Sequence, residues 1–360
     1  MSTEKSELRD LLLRQFKRCP EAQVCDTVKL LYQSEFAGGH LIEDASESLK
    51  RLNEECASLV YTTLAAEEAF EDIGGSLCRM NLRSLTSLGI TVETANRFFV
   101  ETADSARGTL ESFEFKLDVL LELCRNGELP LKPEIAETYI RELKKKGYPP
   151  VSHSEEYREA YAPAYRVVKA AYRDYIEVFG SIDSLLEQGG IVIVAIDGSC
   201  ASGKSALASL IGGVYDCNIF HMDDFFLRPE QKTQQRLKET GGNVDYERFA
   251  AEIIKGITTG SEFSYRKYDC KAQKLGEPIP VKPKRLNVIE GSYSMHPSLI
   301  GFYGLKVFLG ISAAAQSERI LKRNGPDMHK RFIREWIPME NSYFEQMSIK
   351  EQANIVIQRG

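Results

Sequence analysis

The second half of the sequence predicts an α/β fold, a parallel sheet flanked by helices, and the first half predicts a mostly α-helical domain. An apolar, β-branched run at residues 191–196 leads directly into a glycine-rich loop and then into good helix formers. Beyond that loop, apolar runs alternate with helical patterns, which is typical of parallel βαβ units. Residues 1 to about 186 instead carry apolar side chains at helical spacing, and residues 188–190 read Gln-Gly-Gly. We therefore expect two domains, 1–186 and 187–360, and the sequence assigns no role to the first.

Length, charge and composition narrow the class of protein. With 360 residues, of which 43% are hydrophobic, the chain can bury more than one core. Its formal net charge of −6 argues against a protein that depends on bulk attraction to nucleic acid or to an anionic membrane. The N-terminus lacks the apolar segment of a signal peptide, and no apolar run approaches membrane-spanning length. The eight cysteines include no CxxC pair, so we expect reduced thiols in a cytoplasmic protein.

The loop after the first strand fits a phosphate-binding pattern, the Walker A motif. Residues 198–205 read GSCASGKS and satisfy G-x-x-x-x-G-K-[ST] at every fixed position, between a strand and a helix. The two glycines permit backbone angles at which successive N–H groups form an anion-binding nest beside a helix N-terminus. Lys204 is expected to reach the β- and γ-phosphates of ATP, and the Ser205 hydroxyl to hold Mg²⁺. Nearby N–H groups could also lower the pKa of the Cys200 thiol. The nucleotide-binding residues of this P-loop NTPase-type sheet are then Gly198, Ser199, Cys200, Ala201, Ser202, Gly203, Lys204, Ser205 and Ala206.

The other elements of the second half follow from their periodicity. Apolar runs predict strands at residues 217–222, 285–290, 305–311 and 355–357. Helical spacing predicts helices at residues 246–255, 314–323 and 330–344. Because the carboxyl ends of parallel strands share one edge of a sheet, polar residues at those ends are expected to face the phosphate loop.

Acidic residues stand at the ends of two of these strands. Asp223 and Asp224 follow the strand at 217–222, where a carboxylate can position an acceptor hydroxyl and take its proton. We assign that role to Asp223, whereas Asp224 would orient Mg²⁺-bound water or substrate, or cap a helix. Glu290 ends the next strand in the Walker B arrangement, which supports Mg²⁺ directly or through water. The sequence therefore predicts Ser205 and Glu290 as the magnesium residues.

Taken together, these motifs resemble those of the uridine kinase/phosphoribulokinase-like family of P-loop kinases. This family also includes nicotinamide riboside kinase and the bacterial type of pantothenate kinase. The segments GSCASGKS, HMDDFF, NVD, YRKYD and VIEGSY occur in the family's order within residues 190–358. The resemblance implies that Asp223, the first Asp of a D-[DSG]-F motif, is the acceptor-activating base. It further implies an acceptor pocket to which these motifs contribute. The residues expected to contact the acceptor are then Asp224, Phe225, Asp245, Tyr268 and Asp269.

The family closes its site with an arginine-bearing lid, and residues 317–324 stand where that lid is expected. Arg319 and Arg323 would neutralise charge on the transferring phosphoryl group. Arg319 is the better catalytic candidate, while Arg323 fits an ATP contact and a solvated helix face equally well. Residues 325–338 do not match the usual lid of uridine kinases, and those enzymes have no counterpart of the helical N-terminal half.

Three functions remain open at this point. The leading hypothesis is an ATP- and Mg²⁺-dependent kinase that phosphorylates a hydroxyl group of a small molecule, such as a nucleoside. The second hypothesis keeps the kinase but changes the acceptor to a vitamin precursor, a sugar acid or a larger molecule presented by the N-terminal domain. The third is a nucleotide-dependent switch that controls the helical half as a partner-binding module. In the kinase hypotheses the helical half would supply homodimer contacts or part of the acceptor pocket.

One segment of the N-terminal half stands out. Residues 154–186 carry a long helical pattern with Pro163 as a break, and tyrosines within it recur at four-residue intervals after His153. On a helix, this spacing would stack the rings along one face. One interpretation is a ligand-contacting surface. We favour the other, an aromatic stripe packed against the other domain, because such stripes usually belong to a core or an interface.

Overall fold

The helices and strands of this chain fall into two units. The computed structural model describes residues 3–39, 42, 44–61 and 68–359. The units are Met1–Ile176 and Glu177–Gly360, so the chain divides slightly before the predicted boundary. The helix Ile176–Glu187 accounts for the difference, because the Tyr215 hydroxyl donates to Asp183 Oδ1 at 2.7 Å within the second unit. Among the described residues, no helix combines the length and the apolar character that a membrane span requires.

The first unit is mostly helical, in agreement with the sequence. Leu8, Leu12 and Phe16 fall at helical spacing and are buried together in its core. Some helices begin at a residue whose side chain accepts from the first turn, as Thr109 does from the Ser112 N–H. The helices are α1 (Thr3–Arg18), α2 (Val24–Phe36), α3 (Ala45–Ala57), α4 (Val92–Ser105), α5 (Leu110–Arg125), α6 (Pro133–Lys145), α7 (Glu155–Tyr161) and α8 (Ala170–Asp174).

A three-stranded antiparallel sheet in this unit was not predicted. Its strands, in spatial order, are β1 (Phe70–Gly74), β2 (Leu77–Asn81) and β3 (Tyr165–Lys169). The helical expectation for residues 154–186 is therefore wrong in the middle of that segment. Tyr165 pairs with Asn81 in the sheet, so only Tyr157 and Tyr161 share a helix. Their rings pack against the core of the first unit.

The second unit contains the strands and helices of the predicted α/β fold. Its strands are β4 (Val192–Gly198), β5 (Cys217–His221), β6 (Phe263–Tyr265), β7 (Tyr268–Asp269), β8 (Lys274–Leu275), β9 (Ile279–Val281), β10 (Leu286–Glu290), β11 (Leu305–Ile311) and β12 (Ile355–Arg359). Its helices are α9 (Ile176–Glu187), α10 (Lys204–Val214), α11 (Gln234–Lys238), α12 (Tyr246–Phe249), α13 (Lys255–Thr259), α14 (Ala313–Arg331) and α15 (Ile337–Gln346). Two π-helical segments, Ala250–Ile254 and Phe332–Trp336, join α12 to α13 and α14 to α15.

The main sheet is parallel and has the order β12-β11-β4-β10-β5. β4 is buried along its whole length because helices and neighbouring strands cover it, as its apolar sequence predicts. β10 separates β4 from β5, so the chain reverses its direction of winding beside β4. At such a point the carboxyl ends of the strands leave a crevice. In the register, Glu290 lies opposite both Ile196 and His221.

The segment α14 is two helical pieces rather than one helix. Gly325 has φ 78° and ψ 173°, a conformation that interrupts the helix, and Pro326 begins the next piece. The two helices predicted at 314–323 and 330–344 correspond to the regions on either side of this break.

Candidate active site

The glycine-rich loop leaves the end of β4 in a conformation that requires glycine. Gly198 has φ 134°, and a Cβ at this position would lie 2.0 Å from the carbonyl oxygen of Leu309 on β11. Ser199 N–H donates to that same oxygen at 3.1 Å. Gly203 has φ 105° and precedes the first turn of α10. The loop therefore has the close backbone approach and positive φ values that its sequence pattern predicts.

Lys204 is folded back over this loop. Its Nζ donates to the carbonyl oxygens of Gly198 at 2.7 Å and Ser199 at 3.0 Å, and to Ser292 Oγ at 3.3 Å. The side chain thus stands at the mouth of the loop with its ammonium group in a buried setting.

Ser205 and Glu290 meet at the first turn of α10. The Ser205 hydroxyl lies 3.1 Å from Glu290 Oε1 and 3.2 Å from Oε2. His221 Nδ1 lies 2.5 Å from Glu290 Oε1, and this hydrogen bond raises the pKa of His221. The hydroxyl and carboxylate oxygens are ligands that suit Mg²⁺, which takes one or two protein carboxylates and completes its shell with phosphates and water. The described residues contain no cluster of three or more His, Cys, Asp or Glu side chains placed to hold a metal ion.

Asp223 faces the same region from the end of β5. It lies in the 3₁₀ turn Met222–Phe225 and lines a cavity of about 770 Å³ together with Lys204, Ser205 and Glu290. Although Asp223 is exposed within the cavity, the surrounding protein displaces water and raises the pKa of its carboxyl group. The charge of Lys204 opposes this shift, and the charge of Glu290 adds to it.

The cavity brings together many of the residues predicted from the sequence. These are Cys200, Ala201, Gly203, Lys204, Ser205, Ala206, Asp223, Glu290, Arg319 and Arg323. Gly198, Ser199 and Ser202 belong to the backbone of the loop behind this surface, and Ser202 is completely buried.

The two predicted lid arginines differ in their contacts. Arg319 on α14 donates from Nη1 to the carbonyl oxygen of Ala201 at 3.2 Å, so it reaches the loop. Arg323 donates from Nε to Asn324 Oδ1 at 2.8 Å and packs 6.0 Å from the ring of Phe332. Both side chains line the cavity, and Arg319 is the one that contacts the phosphate loop.

Two predicted acceptor residues that follow Asp223 do not line the cavity. Phe225 is completely buried in the core of the second unit, where its ring packs edge-on against Phe249 at 4.8 Å. Asp224 forms an ion pair with Lys267, with Oδ2 and Nζ 3.0 Å apart. Within the 3₁₀ turn only Asp223 lines the cavity, and the substrate role of Asp224 and Phe225 stays a prediction.

The other predicted acceptor residues also lie outside the cavity lining. Asp245 is buried, caps α12 by accepting from the Arg248 N–H at 3.1 Å, and accepts from Gln231 Nε2 at 2.8 Å. Tyr268 is buried in the short β7–β8 pair. Asp269 is exposed and accepts from two backbone N–H groups of the turn that follows it. Asp245 and Asp269 thus bond to nearby backbone N–H groups, and the acceptor role of all three residues stays a prediction.

Further residues line the cavity that the sequence did not single out. Ser292 follows the end of β10 by two residues, so the same strand-end reasoning that selects Glu290 could have found it. Glu340 lies on α15, and no local pattern marks it. Three apolar or aromatic side chains of the lid region also line the cavity: Met328, Phe332 and Trp336.

The expectation that nearby N–H groups lower the pKa of the Cys200 thiol is wrong. The pKa of its thiol is raised to about 12, chiefly because the side chain is buried and next because the negative charge of Glu340 is close. Gln316 Nε2 donates to the Cys200 carbonyl at 3.1 Å and lies 3.2 Å from its sulfur. The thiol is therefore protonated near neutral pH and is not an activated nucleophile.

Asp197, near the end of β4, is hydrogen-bonded to the first residue of the loop. The residue is completely buried, and its Oδ1 accepts from the Gly198 N–H at 2.7 Å. Its Oδ2 accepts from the Met295 N–H at 2.8 Å and from the Tyr343 hydroxyl at 2.9 Å. Burial nevertheless raises the pKa of this carboxyl group from 3.8 to about 6.

The raised pKa of Asp197 predicts a pH-dependent stability. Between pH 4 and 6 the folded state binds the proton that the unfolded state has lost, so the stabilisation is complete below about pH 4 and disappears as pH rises through 6. The free energy of unfolding should fall by about 3 kcal/mol over this window from this group. Urea titrations of the wild type and Asp197→Asn at several pH values measure the effect. The variant should show a flatter profile, and parallel profiles for the two proteins would contradict the assignment.

Comparisons with known proteins concern the same half of the chain. No protein-family model matches the sequence. A possible uridine kinase from Bacillus stearothermophilus is 19% identical, with a TM-score of 0.37, over 50% of this chain and 99% of its own. A protein described as a fructose transport system kinase from Silicibacter sp. TM1040 is 20% identical, with a TM-score of 0.38, over 48% of this chain and 94% of its own. D-glycerate 3-kinase from Cryptococcus neoformans is 14% identical, with a TM-score of 0.30, over 42% and 78%. At these identities the likenesses do not assign an activity to this chain.

The geometry of the second unit identifies its fold directly. A central parallel strand ends in a Walker A loop, its neighbour β10 ends in an acidic residue, and the strand order places a crevice at this edge of the sheet. The loop also binds an anionic group within its own chain, since the Cys200 N–H donates to the Glu340 carboxylate at 2.9 Å. The second unit of this chain has a P-loop NTPase-type fold, a parallel sheet flanked by helices.

Proposed function

We propose that this protein is an ATP- and Mg²⁺-dependent kinase that transfers the γ-phosphoryl group to a hydroxyl group of a small molecule. One observation carries the proposal. Asp223 lines the same cavity as the phosphate-loop residues Lys204 and Ser205. A nucleotide-dependent switch needs no carboxylate that activates an acceptor, whereas phosphoryl transfer to an alcohol uses one to position the hydroxyl and take its proton.

The residues of the cavity divide the chemistry between them. The backbone nest and Lys204 bind the phosphate chain of ATP and balance its charge. Ser205 and Glu290 would hold Mg²⁺, which would offset the negative charge of the phosphates. Asp223 accepts the proton of the acceptor hydroxyl as that oxygen forms its bond to the γ-phosphorus. The bond between the γ-phosphorus and the bridging oxygen breaks, and ADP leaves with its electrons.

Arg319 adds a further positive charge beside the phosphates, after Lys204 and Mg²⁺. Its guanidinium group already reaches the loop at Ala201, and it lies on the lid segment that borders the cavity. A cation here stabilises the charge that spreads over the oxygens of the transferring phosphoryl group. Arg323 lines the same cavity but faces Asn324 and Phe332, so we assign it a lesser role in nucleotide binding.

For the acceptor we propose a chemical class of molecule. A nucleoside is the first candidate, because the sequence motifs resemble those of uridine kinases. Phe332 and Trp336 form an edge-to-face pair with centroids 4.4 Å apart and line the cavity, which gives a planar ring a surface to contact. Vitamin precursors and sugar acids are the next candidates.

Acceptor-dependent release of ADP tests the proposed function. Purified protein is incubated with ATP and Mg²⁺ in the presence of nucleosides, vitamin precursors or sugar acids, one class at a time. We expect one class to raise ADP release well above the rate without acceptor, and omission of Mg²⁺ to abolish that increase. Tight nucleotide binding with no response to any acceptor would instead favour a nucleotide-dependent switch.

A further inference from the structure

The phosphate loop is engaged by a carboxylate of its own chain. Glu340 lies on α15 and is only 6% exposed. Its Oε2 accepts from the Cys200 N–H at 2.9 Å, and its Oε1 accepts from the Ser292 hydroxyl at 2.6 Å. Ser292 in turn accepts from Lys204 Nζ at 3.3 Å. An acidic side chain is thus bonded to an N–H group of the loop that binds phosphate.

This carboxylate faces the place where phosphoryl transfer would occur. Cys200, Asp223 and Glu340 line one cavity. The negative charge of Glu340 contributes to the raised pKa of both the Asp223 carboxyl and the Cys200 thiol. Glu340 therefore borders the same space as Lys204 and Asp223, between which the transferred group would pass.

A phosphate and the Glu340 carboxylate cannot share this site. The Cys200 N–H is a single donor, so it can serve one anion well at a time. Two anions in a space with little water also repel each other strongly. A phosphate chain that reaches Cys200 must therefore displace Glu340, whereas a shorter chain leaves it in place.

The residues on either side of the lid segment, which comprises residues 317–339, both bond to Cys200. Gln316, before the lid, donates to the Cys200 carbonyl at 3.1 Å, and Glu340, after it, accepts from the Cys200 N–H. One turn further along α15, Tyr343 donates to Asp197 at 2.9 Å and keeps that helix attached. Loss of the Glu340 contact therefore removes one of the two bonds to Cys200 that flank the lid segment, while the Gln316 and Tyr343 bonds remain.

We propose that Glu340 is a specificity-determining residue of the nucleotide site. It occupies the position of the terminal phosphate, so that a nucleoside triphosphate displaces it and releases the lid, and a nucleoside diphosphate does not. The inference rests on the proposed function in requiring that the loop binds nucleotide.

Equilibrium titrations with ATP, ADP and adenosine, all with Mg²⁺, test the inference on the full chain. Glu340→Gln keeps a similar shape and a hydrogen-bond acceptor but removes the charge. We expect its affinity for ATP to rise about tenfold, its affinity for ADP to change by less than about threefold, and its affinity for adenosine to stay the same. Glu345→Gln is the matched control, since Glu345 is exposed on the same helix and loses the same charge. That control should leave all three affinities unchanged.

A second measurement uses the wild-type protein. Hydrogen exchange at the N-terminal turn of α15 should increase when ATP binds and stay constant when ADP binds, because only ATP displaces Glu340. Equal ATP affinity in the wild type and Glu340→Gln, with unchanged exchange, would overturn the inference and leave the kinase proposal standing. Weaker ATP binding by Glu340→Gln would assign Glu340 a structural role and also overturn it. Failure of both proteins to bind any nucleotide would overturn the inference and the proposed function together.

Discussion

Replacing Asp223 by Asn is expected to lower acceptor-dependent ADP release by about 10³-fold, the scale of a lost general base. Asn has nearly the same shape as Asp but cannot accept the proton of the acceptor hydroxyl. ATP affinity should change little, because Asp223 lies at the end of β5 beside the loop and is not part of it. Initial rates at saturating ATP, together with an ATP titration, separate the two effects.

The pH profile gives an independent check on Asp223. Its pKa is raised because the protein around the cavity displaces water, so the carboxyl group holds its proton to a higher pH than an ordinary Asp. Because the base must be ionised, kcat/KM should decline on the acid side at a pH above the usual Asp range. Asp216→Asn is the control, since Asp216 precedes β5 and its side chain is 86% exposed. Near wild-type turnover in Asp223→Asn would refute the assignment of the base.

Replacing Lys204 by Met should lower turnover by about 10²- to 10³-fold and weaken ATP binding as well. The methionine side chain keeps most of the length of lysine but has no charge and no donor. It therefore loses the contact with the phosphates. Adenosine affinity should be unchanged, because the nucleoside has no phosphate for Lys204 to bind. Rates and the two affinities, measured on the same preparations, test this expectation.

The control for Lys204→Met is Lys322→Met. Lys322 is exposed on α14, so the variant removes the same charge and leaves the loop intact. Turnover in Lys322→Met should match the wild type. If Lys204→Met kept turnover within about threefold, the charge on the phosphates would have to be balanced by other groups, and the site would need a different description.

The local sequence was sufficient to predict most of the main-sheet strands and the phosphate loop of the second unit. The predicted strands at 217–222 and 305–311 correspond to β5 (Cys217–His221) and β11 (Leu305–Ile311). β11 is buried along nearly all of its length, so its apolar run is a strong signal, whereas β5 lies at the edge of the sheet and is mostly half-buried. The Walker A loop was equally clear, because its glycines, lysine and serine are adjacent in the chain and each has a separate physical reason.

Two other sequence patterns were less informative about structure, namely the residues around Asp223 and the helical spacing of residues 154–186. The D-[DSG]-F resemblance includes Phe225 among the acceptor residues, yet its ring belongs to the core. In the first unit, the helical spacing of residues 154–186 conceals β3, because Tyr165 and its neighbours gain a pairing partner in β2. A strand that pairs with residues far away in the chain overrides its local preference for helix.

The sequence by itself determined the phosphate loop, the acidic strand ends and the parallel sheet that carries them, because those features depend on residues that are neighbours in the chain. The tertiary structure alone decided what surrounds the loop. Glu340 bonds to Cys200 across 140 residues and Tyr343 bonds to Asp197 across 146. Such contacts exist only once α15 has folded back against the end of β4, and each is set by the packing of that helix rather than by any local pattern of side chains.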